Sequence, residues 1–390
     1  MASALLLASS AFAQTPTYSW YGFIRNYFTY DTHESVAGTE DFYYYMPKDN
    51  DNKGTSNFAA LTSRIGLDVK GYEVSGYKVG AKMEADFYCK SGTTAILRMR
   101  QAYLTLAKEE RTWKIGQAWH PMAQDLPDIF SLDSGMPFGP FSRTPQINLE
   151  YNAGQSVSFN AAALWQMQYT SAGPNGQAPD YIKKSGIPEI FVGLNFKEGS
   201  SLIKLGVDVL SIKPHGNANL TTVNFFQYGQ TTQGNWTLKE KIVYAQDGSH
   251  MNMIGGYGVS GINTETGNYS YTPCRNLSAW ATLAYKKSKE WVPSILIGAI
   301  KCFGTNERVL EPIVGATTDA MFYTNKTADK VSAMYRLQPE IVYNLGKVQF
   351  GAEYMLTAVH YGTPNEYKQA TENLHWVKNN RFQLMVKYSF

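Results

Sequence analysis

The sequence predicts an all-β fold: a transmembrane antiparallel β-barrel of about sixteen strands, with a constriction loop folded inward. Three observations carry this expectation. Apolar and polar residues alternate with period two along most of the 390-residue chain. Many alternating stretches reach the ~9–11 residues that a tilted strand needs to cross a bilayer, beyond the ~5–6 usual in globular sheets. Short turns and long polar connections also take turns along the chain, as in barrels with short loops on one side and long ones on the other.

In chain order, "MASALLLASSAFAQ" opens with an apolar run and an A-x-A site at Ala11–Ala13, so residues 1–13 read as a signal peptide lacking its positive start. Residues 14–390 read as a single barrel. Strands are expected to start near Tyr18, Asn57, Gly76, Ala95, Arg111, Pro145, Gln155, Pro188 and Leu202, then near Asn219, Asn235, Asn276, Trp291, Val331, Lys347 and Asn379. From Gly76 to Lys90, Tyr77, Val79, Ala81, Met83, Ala85 and Phe87 share one face; Lys78, Lys82, Glu84 and Asp86 share the other. Tight turns fall at Glu73–Ser75, Glu109–Glu110, Gly154, Glu198–Ser200, Lys287–Lys289 and Gly346. Long connections are expected at 31–56, 119–144, 170–186, 248–273, 304–330 and 361–378. The last strand, "RFQLMVKYSF", alternates to the terminal Phe390, so it should seal the barrel against the first strand and leave no open edge.

Orientation follows from charge. The polar faces hold Arg64, Asp68, Lys82, Glu84, Asp86, Arg98, Arg100, Glu150, Glu340, Glu353 and Arg381, too many charges for a dry core. The apolar faces therefore meet lipid and the charges line a wet lumen. Aromatics near strand ends, such as Trp20, Tyr21, Tyr72, Tyr151, Tyr285, Trp291, Tyr343 and Phe390, are expected to form interfacial girdles. Net charge is only +3 and no Lys/Arg-rich run exists, which gives no footing for nucleic acid. No run of about 18 apolar residues indicates a membrane-spanning helix.

The 119–144 connection, "WHPMAQDLPDIFSLDSGMPFGPFSRT", is more apolar than the others and stiffened by four prolines. It is expected to fold inward and narrow the pore, with Asp125, Asp128 and Asp133 facing wall cations. The basic side of the constriction would be Arg25, Arg64, Arg98 and Arg100, joined by Arg143 and Arg381. Acidic lining would come from Asp68, Glu84, Asp86 and Glu150. Guanidiniums suit carboxylates and phosphates, which leans the pore toward anions; pairing of the same arginines with Glu84 and Asp86 is the competing expectation.

Other motifs carry little. "GYGVSG" (Gly256–Gly261) lacks a βαβ context. "DNDNKG" (Asp49–Gly54) lacks the bidentate Glu of a calcium loop. The six histidines show no metal-ligand spacing, so neither metal nor other cofactor is expected, and no catalytic motif appears. Cys274 and Cys302 sit symmetrically about Ser288, which makes them candidates for a cross-strand disulfide.

The pieces "YGFIRNYFTYD" (Tyr21–Asp31), "SRIGLDVKG" (Ser63–Gly71), "EADF" (Glu84–Phe87), "RMRQAYLTL" (Arg98–Leu106), "KIGQAW" (Lys114–Trp119) and "FGPFSRTPQI" (Phe138–Ile147) together resemble the DcaP-type trimeric porins of Gram-negative outer membranes. The resemblance implies a homotrimer passing small, often anionic, solutes past basic residues at the constriction, here Arg25, Arg64, Arg98 and Arg100. It also implies lipid and lipopolysaccharide as surroundings, and assembly machinery that reads the aromatic end at Phe390. The expected function is a passive outer-membrane diffusion channel; the alternatives are a substrate-specific channel, for dicarboxylates or oligosaccharides, and an outer-membrane barrel enzyme.

Overall fold

The computed structural model describes residues 15–390 apart from 37–44, 51–52, 61, 91–93, 311–319 and 324–327. The expected signal peptide, 1–13, lies outside the described residues. Sixteen strands close one antiparallel barrel: β1 (Thr17–Asp31), β2 (Thr55–Ala59 and Arg64–Val74), β3 (Tyr77–Lys90), β4 (Thr94–Lys108), β5 (Arg111–Trp119), β6 (Arg143–Asn152), β7 (Val157–Leu164) and β8 (Glu189–Glu198). The rest are β9 (Ser201–Ile212), β10 (Leu220–Gln233), β11 (Trp236–Gln246), β12 (Arg275–Tyr285), β13 (Trp291–Gly304), β14 (Val331–Leu345), β15 (Val348–Pro364) and β16 (Ala370–Ser389). The two segments of β2 both pair with β1 and are broken around Thr62, whose φ is +67°.

Closure is made by β16 on β1, with Tyr30 opposite Phe382 and Ile24 opposite Tyr388. Phe390 extends the seam through backbone hydrogen bonds with Gly22, N–H to O at 3.2 and 3.1 Å. Its ring lies where a Gly22 Cβ would be, 2.5 Å away, so only glycine leaves room for the terminal phenyl.

The alternation read in the sequence maps onto the two faces of the wall. Trp20 (63% exposed), Ile24, Phe28, Met83, Leu104, Val192, Ile297 and Leu384 (55%) face outward. Glu84, Asp86, Arg98, Arg100, Gln117, Arg336, Glu353 and Gln383 are buried on the inside. An apolar belt encircling a polar interior is stable against lipid, since water would leave that belt as a very large exposed patch.

Three expectations need correction. Tyr21 is not a girdle residue: its hydroxyl donates to Glu84 Oε2 at 2.9 Å inside the barrel. The final strand starts at Ala370 rather than near Asn379, and the expected 361–378 loop is the tip of the β15–β16 hairpin. Above the bilayer both faces of a hairpin are wet, so Glu372, Asn373 and His375 carry no apolar alternation although the ladder continues. The interior is also not wet throughout. Met122, Phe138, Phe191, Phe226, Trp280, Leu296, Ile300 and Met334 form one buried apolar cluster within it, because the inward segment fills that side.

Between β7 and β8 lies a six-residue helix, α1 (Asp180–Ser185). Short strands Gly256–Ile262, Tyr269–Pro273 and Met321–Tyr323 build a small sheet in the long connections.

Candidate functional site: a constricted lumen

Residues 120–142 lie inside the barrel and touch its wall on several sides. Lys204 on β9 holds Asp125 at 2.9 Å. Lys239 on β11 holds Asp128 at 2.6 Å, with Lys286 at 3.1 Å. Asp133 pairs with Arg336 on β14, both fully buried. Backbone anchors are as numerous. Phe130 N–H donates to Glu340 at 3.0 Å and its carbonyl accepts from Tyr27 on β1 at 2.8 Å. Lys241 donates to the Met122 carbonyl at 2.8 Å.

Two wall glycines make sockets for the segment. A Cβ at Gly298 would stand 2.6 Å from the Phe138 ring, and one at Gly351 2.7 Å from Phe130. Each glycine has inward parity on its strand, so the missing side chain becomes space for an incoming phenyl.

The aspartates of the segment are thus fastened to lysines and an arginine on β9, β11 and β14. They do face wall cations, as expected, but these are not the arginines of β1–β4 named as the basic side of the constriction. A carboxylate in a rigid pair with the wall adds little to a transverse field.

The arginine side is a ladder of ion pairs. Arg98 grips Asp86 in bidentate fashion, both contacts 2.9 Å. Arg100 reaches Glu84 at 2.7 Å and Asp86 at 2.8 Å. Arg64 approaches Glu84 at 3.6 Å, and Lys82 pairs with Asp68 at 2.8 Å. Arg98, Arg100, Glu84 and Asp86 are buried, so this ladder is wall structure with only its edge exposed. Arg143 does not reach open lumen either: it is fully buried, with Trp119, Phe141 and Tyr169 rings 4.9, 5.1 and 5.3 Å away and the Tyr169 hydroxyl at 2.7 Å. Arg381 is likewise spent on Asp31, at 2.7 and 2.8 Å, beneath the Tyr45 ring. Glu150 does line open space: a cavity of about 500 Å³ shared with Pro121, Gln124, Lys197 and Lys204.

What remains accessible on this wall is a row of cations over one ring. Arg25 lies 4.9 Å, Arg64 5.0 Å and Lys387 5.4 Å from the Phe23 ring centre. Register places them side by side: Arg25 faces Lys387 across the β1–β16 seam, and Phe23 faces Arg64 across β1–β2. Arg25 also donates to Thr62 Oγ1 at 2.6 Å. Arg25 and Lys387 border a second cavity, of about 380 Å³, with Asp128, Phe130, Lys286 and Glu340. Phe23 was missed from sequence, while Lys387 reads there as part of the last strand's water-facing side with Arg381 and Gln383. Both have inward parity, but their partnership needs the seam register, which alternation alone does not fix.

Cys274 and Cys302 are free thiols. The β12–β13 turn is centred one residue later than expected, so Cys302 faces Asn276 instead of Cys274. Burial pushes the Cys274 thiol well above its usual pKa.

The match to a family model, described as DcaP outer membrane protein, covers residues 9–147. The same stretch holds the motifs read from the sequence, and the resemblance stands on it. Among curated proteins none matches. Among solved structures, the outer membrane channel DcaP of Acinetobacter baumannii is 19% identical, with 96% of this chain and 97% of that chain covered at a TM-score of 0.72. An anion-selective porin from Comamonas acidovorans is 10% identical, covering 96% and 100% at 0.62. The trimer form of OmpT, an outer membrane protein of Vibrio cholerae, is 13% identical, covering 96% and 99% at 0.56. The barrel is therefore that of a porin, and family match and fold together place it in the outer membrane of a Gram-negative bacterium.

Proposed function

We propose that this outer-membrane porin, DcaP-like over residues 9–147, is a passive diffusion channel that favours small anions. The observation carrying the preference is the convergence of Arg25, Arg64 and Lys387 on Phe23. The neighbouring carboxylates Glu84 and Asp86 are buried beneath their own arginines. A solute threading between the inward segment and this wall meets guanidinium and ammonium groups first. Spaced cations in one row suit singly and doubly charged carboxylates, so dicarboxylates fall within the solute class. The chain works as a channel rather than an enzyme.

A homotrimer is the assembly we favour, supported by the trimer form described for the Vibrio cholerae relative. Asn26 on β1 and Ala102 on β4 are small outward positions suited to a wall contact; each pairs with an outward neighbour, Val386 and Met83. Lipid meets the apolar belt and lipopolysaccharide the long connections. Phe390, half exposed at the seam, is suited to recognition by the assembly machinery.

Swelling of proteoliposomes tests the transport claim. Small carboxylate salts should enter faster than cationic or neutral solutes of equal size. Equal rates would remove the anion preference, and no swelling with folded protein would remove the channel.

A further inference from the structure

Four side chains that no sequence motif links meet inside the barrel. His120 begins the inward segment, Glu189 starts β8, Asp208 lies on β9 and His250 sits in the β11–β12 connection. All four are fully buried, and one ligand atom from each lies within 4.8 Å of the other three. Glu189 Oε1 is 2.9 Å from His120 Nε2 and 3.0 Å from His250 Nε2; Asp208 Oδ1 is 3.8 Å from His120 Nε2. Glu189 Oε2 and Asp208 Oδ1 accept from no N–H or O–H donor, and the two carboxyl groups lie within hydrogen-bond reach of each other. Two buried carboxylates with no donor for these oxygens, set beside two imidazoles, ask for a shared positive charge.

We propose that His120, Glu189, Asp208 and His250 form a closed binding site for a divalent transition-metal ion of the zinc class, fastening the inward segment to the wall. Two imidazoles and two carboxylates match the tetrahedral N/O donor sets of such ions. Calcium, which takes 6–8 oxygen ligands, is poorly served by this cage. Ligand bonds of ~2.0–2.2 Å put tetrahedral donors ~3.3–3.6 Å apart, so the two Glu189–histidine pairs at 2.9 and 3.0 Å must open slightly and the widest pair, within 4.8 Å, must close. Part of an outer shell is in place: Asn224 donates to Asp208 Oδ2 at 2.9 Å, and Asp247 stands beside His250. One contact opposes binding. Met122 N–H donates to His120 Nδ1 at 3.2 Å, which keeps the ring proton on Nε2, facing Glu189. A metal at Nε2 moves that proton to Nδ1 and breaks this hydrogen bond.

The site joins three wall or loop elements to the start of the inward segment, and it stands whether or not the pore prefers anions. The test uses the full chain, folded in detergent, stripped with a chelator and titrated with Zn²⁺ alone. One equivalent per chain is expected, with an X-ray absorption signature of two imidazole ligands, and a tenfold excess of Ca²⁺ should leave it in place. Asp208→Asn and His250→Ala should each weaken uptake by more than the ~10–100-fold that loss of an outer-shell partner costs. If either variant fails to fold, the absorption spectrum of the unaltered chain decides. Sub-stoichiometric uptake, zinc without the two-imidazole signature, or unchanged affinity in folded variants would overturn the site.

Discussion

Reversing the charge of Lys387 is the sharpest perturbation of the proposed anion row. Its ammonium lies 5.4 Å from the Phe23 ring centre, with Arg25 and Arg64 at 4.9 and 5.0 Å. An anion passing over that ring comes within ~5 Å of each cation, where one unit charge in water is worth ~0.8 kcal/mol. Lys387→Glu changes the local charge by two units, or ~1.7 kcal/mol, roughly a fifteen-fold change in local anion preference. Screening sets the conditions, since the Debye length is ~30 Å at 0.01 M salt and ~3 Å at 1 M. Single channels in planar bilayers under a low-salt gradient should therefore show the reversal potential move toward the cation side, with most of the shift gone at molar salt. Lys183→Glu, a control on the exposed helix α1, should shift nothing. A reversal potential for Lys387→Glu that matches the unaltered channel at low salt would refute the reasoning.

Other predictions follow from the anchoring contacts. Arg98→Ala leaves buried Asp86 short of its bidentate partner; loss of one member of a buried pair costs ~3–5 kcal/mol, read as a lower unfolding temperature in detergent, and an unchanged temperature would contradict the ladder. Gly298→Leu fills the Phe138 socket and should displace the inward segment, raising single-channel conductance; an unaltered conductance in folded protein would show that the socket does not hold the segment. Alkylation under denaturing, non-reducing conditions should label both Cys274 and Cys302, while Cys274, half-buried and with its thiol pKa raised, labels slowly in the folded barrel at pH 8. A peptide mass showing a Cys274–Cys302 disulfide would contradict the β12–β13 register.

The wall of this barrel was legible because a two-residue period needs no long-range information. Strand β3 declares its faces through Tyr77 to Phe87, and β16 through Phe382 to Phe390. Arg25, Arg64, Arg98 and Arg100 were found for the same reason: inward parity on early strands. What parity does not report is what each charge meets. Arg143 and Arg381 point inward, yet one is caged by Trp119, Phe141 and Tyr169 and the other is spent on Asp31. Phe23 joined Lys387 only through the closing seam, which pairs the two ends of the chain. The lysines that hold the inward segment, Lys204 and Lys239, carry no local signal of that role, because their aspartate partners lie on a distant loop. The use of Gly298 and Gly351 appears only with Phe138 and Phe130 in place. The quartet of His120, Glu189, Asp208 and His250 draws on four separate elements, so no local spacing could announce it.

The most direct test of the central claim is a bilayer recording of the unaltered chain under a salt gradient. The account predicts stepwise conductance, arriving in threes for a trimer, with a reversal potential on the anion side. A folded, detergent-purified protein that gives no conductance, or a reversal potential on the cation side at low salt, would contradict it.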